Sequence, residues 1–241
     1  MSAPRALVGI VPAAGHARRL QPLSCSKEML LVGGRPVIDC LLQRMQAASC
    51  TEIRIVTRPD KRDVAEHART CGATVVFAHP ATVTESLLAG LEGLSAETPV
   101  IFGFPDTLWE PIDGFVALLA ALASGTQVAL GIFRAESPRR SDVVTMEGEH
   151  VTSIHVKPQE PPSELVWGCA ATHARVLGGA EGWAEPGAYF DTLARQGLVR
   201  GVRLADPFVD IGTPASSRRA RAAESTRTSG SPRAVSGEGV E

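Results

Sequence analysis

The chain has 241 residues, 44% of them hydrophobic and 21% charged, with a formal net charge of -2. Such a balance gives a globule with a sizeable core and argues against nucleic acid or a membrane surface as bulk partners. No run approaches the roughly 20 apolar residues of a membrane span and no secretory apolar segment opens the sequence, so the expected compartment is cytoplasmic.

The first predicted strand, 6–12, carries the apolar run Leu7 to Val11 and ends in Pro12-Ala13-Ala14-Gly15, followed by Arg18, Arg19 and Lys27. Small residues let a backbone lie against a ligand, and successive N–H groups in such a loop form an anion-binding concavity. Cations just beyond it supply the countercharge for phosphate oxygens. A nucleoside triphosphate is the ligand this pattern suits. The chain has 24 Lys plus Arg, and only Lys27, Lys61 and Lys157 are lysine. A lysine kept against that bias marks a place that wants a compact charge on a flexible stem. Lys61, in the charged helix start RPDKRD, reads as solvated; Lys27 and Lys157 are the stronger candidates.

Further strands are predicted at 52–57, 73–78 and 98–104, alternating with helical patterns at 37–48, 61–71 and 84–94. Apolar strands separated by amphipathic helices indicate a parallel sheet covered on both faces, with ligands beyond the carboxyl ends of its strands. Asp106 follows the buried run VIFGF-Pro105 at such an end. After Gly125, shorter strands are predicted near 127–134, 142–147, 150–156, 165–172 and 200–204, with helices near 111–124 and 187–196. Lys157 lies in IHVKPQEPP, kept extended by its prolines. Asp210 lies in Pro207-Phe-Val-Asp-Ile-Gly-Thr213. Asp106 and Asp210 together would suit Mg2+, which takes one or two protein carboxylates and completes its octahedron with water and phosphate oxygens. A turn or helix cap would also use Asp at each place. From Ser216 the sequence turns to Ser, Arg, Gly and Ala and reads as a disordered tail, 216–241, after one domain spanning 1–215.

The five cysteines, 25, 40, 50, 71 and 169, never form C-x-x-C, and the six histidines show no H-E-x-x-H. Sequence spacing therefore argues against a metal–thiolate site, a disulfide framework and a histidine-bound zinc site.

Together these parts resemble the sugar-1-phosphate nucleotidylyltransferases, typified by glucose-1-phosphate thymidylyltransferase and the uridylyltransferases. The likeness runs from about residue 6 to 214. It is carried by Ala13-Ala14-Gly15-His16-Ala17-Arg18-Arg19-Leu20-Gln21-Pro22, Ser26-Lys27-Glu28, Phe104-Pro105-Asp106, Val156-Lys157-Pro158 and Asp210-Ile-Gly-Thr213, in the family's order. The resemblance implies a Rossmann-like, doubly wound α/β fold with a mostly parallel mixed sheet. It implies that Arg19 and Lys27 act on the triphosphate, that Ala13, Ala14, Gly15, His79 and Thr84 bind the nucleotide, and that Asp106 and Asp210 hold Mg2+. Lys157 would grip the sugar phosphate, with Asp142, Trp167 and Gly168 lining the acceptor. The partners implied are an NTP and a small phosphorylated acceptor, and family members are often homo-oligomers.

Ala17 and Arg18 depart from the family's Gly and Thr/Ser. Val156, Asp142 and Trp167-Gly168 stand where the family contacts a hexose, which suggests an unusual acceptor such as a modified sugar phosphate or a cyclitol phosphate. Two rivals share the scaffold: a cytidylyl- or guanylyltransferase for a non-sugar phosphate, and a catalytically degenerate nucleotide-sensing protein. A dinucleotide-dependent oxidoreductase is disfavoured, because no G-x-G-x-x-G is present.

Overall fold

Five apolar residues in a row cannot alternate between core and solvent, and the first strand is accordingly covered on both faces. The computed structural model of the chain describes residues 6–16, 23–135, 137–205 and 208–211. The expectations for Arg18, Arg19 and the 216–241 tail lie outside the described residues.

In chain order the first half contains β1 (Val8–Pro12), β2 (Leu31–Val32), β3 (Arg35–Pro36), α1 (Ile38–Ala47), β4 (Glu52–Thr57), α2 (Arg62–Thr70), β5 (Thr74–Phe77), α3 (Val83–Gly90), β6 (Pro99–Gly103), β7 (Thr107–Leu108) and α4 (Gly114–Ala123). The second half contains β8 (Val128–Arg134), β9 (Val143–Glu147), β10 (His150–His155), β11 (Leu165–His173), α5 (Ala174–Gly178), α6 (Pro186–Ala194), β12 (Val199–Arg203) and β13 (Val209–Asp210). The alternation expected of the first half is present, but the strands after Gly125 are not the shorter ones expected: β8 has 7 residues and β11 has 9, against 5 in β1 and 4 in β5.

Among the described residues, nine strands form one sheet in the order β5-β4-β1-β6-β11-β8-β12-β10-β9. The strands β5, β4, β1 and β6 are mutually parallel, and β11 enters antiparallel between β6 and β8. Side chains alternate faces along each strand. Val11, Ile55, Ile101 and Phe133 therefore meet α1, α2 and α4 on one face, while Ile10, Val56, Phe102 and Leu130 meet α3, α5 and α6 on the other. Gly9 is required by this packing: a Cβ there would stand 2.6 Å from the sulfur of Met45 in α1.

A third, smaller apolar cluster matters more for function. Leu30, Val32, Val37 and Ile211 are buried together, with Leu23, Cys25, Leu108 and Val209 against them. Each buried side chain of this size contributes on the order of 2 kcal/mol. The cluster joins three distant stretches: the residues after Lys27, those after Asp106, and those around Asp210. The β2–β3 hairpin that supplies Val32 turns on Gly33 and Gly34, both at positive φ, a conformation glycine adopts without steric cost. No helix among the described residues is long and apolar enough to cross a membrane.

Candidate active site

The loop after β1 is anchored before any ligand is considered. Ala13 N donates to Val56 O at 2.8 Å, and Ala13 and Ala14 are both buried. Lys61 Nζ donates to Ala13 O at 2.8 Å and to both carboxylate oxygens of Glu28, each at 2.8 Å. Glu28 is wholly buried. Lys61 is thus no solvated lysine: it neutralises a buried acid and pins the small-residue loop to the turn that carries Lys27. Asp63, in the first turn of α2, accepts from both the backbone N–H and the hydroxyl of Ser26 at 2.7 Å. Those hydrogen bonds outweigh the effect of burial and hold the Asp63 carboxyl below its usual value.

Between these two supports stands Lys27, opening a short 3-10 turn, Lys27–Met29. Its Nζ lies 2.7 Å from Asp106 Oδ2. A Cβ on Gly15 would be only 3.9 Å from Lys27 Cε and Nζ, so the loop backbone runs beside the ammonium. Burial lowers the Lys27 pKa, but Asp106, Glu28 and Asp210 together raise it above the ordinary value. The ammonium is therefore charged throughout the neutral range.

Asp210 reaches the same place through β13. This strand pairs antiparallel with β7, Asp210 opposite Thr107, and Ile211 N donates to Asp106 O at 2.9 Å. The structure brings Lys27, Asp106 and Asp210 together. Two carboxylates from separate strand ends, beside an anchored ammonium, are the hard oxygen donors that suit Mg2+, with positions left for water and phosphate. Next to this group lies a polar hollow of about 510 Å3, lined by His16, Lys27, Arg58, Lys61 and Arg62 among others. Arg58 and Arg62 were not singled out in the sequence, where both look like ordinary helix-start charges.

A second cluster forms around Lys157. In register, His155 pairs with Val143 and Val143 with Val166, which brings the end of β10 to Asp142 and the start of β11. Lys157, at positive φ, makes a short ion pair with Glu185, the residue that precedes α6. Burial pushes the Asp142 carboxyl up to about 6; Lys157 and the Trp167 indole oppose this, and Glu185 adds to it. Gly187 makes the arrangement possible, because a Cβ there would stand 2.3 Å from Asp142 Oδ2 and 3.2 Å from Trp167 Nε1. Glu185 and Gly187 escaped the sequence reading; their only local signal is Pro186 at a helix start.

Three expected contacts look different in the fold. Trp167 is buried among Phe102, Phe104 and Phe190, so its indole ring is core and only its N–H edge faces the Asp142 cluster. Gly168 leaves room for Phe208, whose ring would lie 2.4 Å from a Cβ at that position. Its role is close packing, which carries β13 and Asp210 over β11. Thr84 is 1% exposed in the first turn of α3, with no partner for its hydroxyl among the described residues. Thr82 caps that helix by accepting from Glu85 N, while Glu85 accepts from Ala81 N, and this capping turns Thr84 inward. His79, by contrast, is exposed between β5 and α3.

The two clusters adjoin. Phe104, two residues before Asp106, packs on Trp167 at 5.5 Å between ring centroids, and Phe208, two residues before Asp210, packs on Gly168.

Comparison with known proteins agrees with this architecture. Residues 9–183 match the family model described as "MobA-like NTP transferase domain". A relative from Sulfolobus acidocaldarius, described as "Putative mannose-1-phosphate guanyltransferase", is 27% identical over 169 residues, 65% of this chain. The match covers 45% of that relative, so the chain spans about half its length. Among solved structures, a "Putative Glucose-1-Phosphate Thymidylyltransferase" from Bacillus anthracis superposes with a TM-score of 0.80 at 19% identity, covering 90% of this chain and 95% of the other. A UDP-glucose pyrophosphorylase complexed with UDP-glucose superposes with a TM-score of 0.79 at 16% identity, covering 92% and 99%. At these identities the structural likeness establishes the fold.

Proposed function

Because this chain belongs to the MobA-like NTP transferase family, we propose that it transfers a nucleotidyl group from an NTP to a sugar 1-phosphate or a related cyclitol phosphate. The products are the nucleotide-activated acceptor and pyrophosphate. The convergence of Lys27, Asp106 and Asp210 beside the small-residue loop carries this reading.

In this reading an acceptor phosphate oxygen attacks the α-phosphorus in line, forming the new P–O bond as the bond to the β-phosphate oxygen breaks. No covalent enzyme intermediate is required, so catalysis rests on alignment and on neutralising charge. Lys27, which stands beside the small-residue loop, would meet charge developing on the transferred phosphate, whereas Lys61 is held by the wholly buried Glu28. Arg19 would join it on the triphosphate. Members of the family generally depend on a divalent metal. Here Asp106 and Asp210 would hold it, with Mg2+ the ion their oxygen donors suit, and when bound it supplies positive charge to the phosphates. Ala13, Ala14 and Gly15 offer backbone to the nucleotide, and the exposed His79 loop offers contacts to its base.

Lys157 and Asp142, with Glu185 beside them, are the acceptor-side groups, and Lys157 would exchange Glu185 for the acceptor phosphate. The acidic pair Asp142 and Glu185 favours an acceptor rich in hydroxyl donors. We place the catalytic unit within 1–215, in the cytoplasm.

A panel of four NTPs against glucose 1-phosphate, mannose 1-phosphate and an inositol phosphate, read by pyrophosphate release, tests the proposal. One nucleotide–acceptor pairing should exceed the others and require Mg2+. Nucleotide binding with no pyrophosphate release from any pairing would replace it with the nucleotide-sensing alternative.

A further inference from the structure

We propose that Asp39, His67 and Cys71 form a second divalent-metal site, distinct from the Asp106–Asp210 pair and suited to zinc. The three residues come from two helices. Asp39 lies in the first turn of α1, His67 in the last turn of α2, and Cys71 at the C-cap of α2. His67 and Cys71 are four residues apart and so share one helix face. The site departs from the expectation drawn from sequence spacing, which could not register a third ligand 28 residues upstream of His67.

The ligand atoms of all three side chains lie within 4.8 Å of one another. His67 Nε2 is 2.6 Å from Asp39 Oδ1 and 3.5 Å from Cys71 Sγ. Zinc bonds of about 2.0–2.3 Å in a tetrahedron place neighbouring ligand atoms roughly 3.3–3.8 Å apart. The sulfur–nitrogen separation already meets that requirement, and the Asp39 carboxylate needs only to move outward by less than about 1 Å.

Donor chemistry separates this site from the first. A thiolate, an imidazole and a carboxylate suit a borderline-soft ion, whereas magnesium prefers oxygen alone. Cys71 is a free, exposed thiol, so an ion has a route in. Binding releases the thiol proton to solvent.

The site also has a structural consequence. The α1 helix follows Val37, part of the apolar cluster beneath Lys27, and the start of α2 carries the Lys61 and Asp63 supports. An ion bridging the two helices therefore links the apolar cluster next to the Lys27 turn to the helix that carries the Lys61 and Asp63 supports.

Cobalt titration of the reduced full-length protein tests the site, since a thiolate bound to Co2+ absorbs in the near ultraviolet and tetrahedral Co2+ in the visible. We expect one equivalent with both bands. Cys71→Ser should abolish the thiolate band, and His67→Gln and Asp39→Asn should each weaken binding at least about tenfold. Asp210→Asn should leave the titration unchanged. Zinc should raise the thermal midpoint of the wild type and not that of Cys71→Ser. Absence of the thiolate band from the wild type, or its survival in a folded Cys71→Ser variant, overturns the proposal.

Discussion

Lys27 Nζ sits 2.7 Å from Asp106 Oδ2 although 79 residues separate them. The contact ties the turn after the first loop to the end of β6, and Asp210 faces it from the neighbouring β13. Under the proposed function, a triphosphate entering here would meet an ammonium already held beside Asp106. Replacing Lys27 with alanine should lower turnover at least about a hundredfold, comparable to losing one transition-state donor. The circular dichroism spectrum should stay that of the wild type. Lys27→Arg should not restore the rate, because a broad guanidinium does not fit where a point charge is held.

Removing one negative charge at the carboxylate pair should act on the metal. We expect Asp210→Asn to raise the Mg2+ concentration needed for half-maximal pyrophosphate release, because a neutral amide is a weak ligand for a hard cation. Magnesium titration of the variant at saturating nucleotide measures this. Unchanged metal dependence would leave Asp106 to act without Asp210.

The Glu28–Lys61 pair supports the site from below. Glu28 is completely buried and the Lys61 side chain is 11% exposed. Lys61→Ala strands a buried carboxylate and should cost about 3–5 kcal/mol in urea denaturation. The double variant Glu28→Leu/Lys61→Met leaves no stranded charge and should be more stable than Lys61→Ala. It should still bind nucleotide less tightly than wild type, since the Ala13 carbonyl loses its donor.

Asp142 gives a pH signature. Its carboxyl is raised from 3.8 to about 6, so the folded state binds its proton more tightly than the unfolded state. Stability associated with this group is greatest below about pH 4, falls between about 4 and 6, and stays reduced above. Asp142→Asn should therefore match the wild type at low pH and exceed it at pH 7–8 in thermal melts. The same variant should lose acceptor affinity, read as a raised KM for acceptor with the nucleotide KM unchanged.

Much of this molecule is legible in its sequence where a single local period decides the outcome. Strands such as β6 and β8 are continuous apolar runs, and α1 and α2 show clear amphipathic spacing. Lys27, Asp106 and Asp210 stand at element ends, where ligands of such sheets generally bind. What stayed hidden depends on partners distant in sequence. Lys61 sits among Asp60, Arg62 and Asp63 and looks solvated until Glu28, 33 residues away, is found beneath it. Glu185 looks like a helix-start acid until Lys157 arrives from β10. Thr84 looks like a nucleotide contact until the Thr82 cap turns it inward. The two-residue strands β7 and β13 are too short to carry any period, yet their pairing places Asp210.

The most direct test is a crystal structure with a non-hydrolysable NTP analogue and Mg2+. We expect the polyphosphate along Ala13 to Gly15 with its oxygens on Lys27, and the metal bound by Asp106 and Asp210. Nucleotide bound elsewhere, with no phosphate oxygen on Lys27, rules it out.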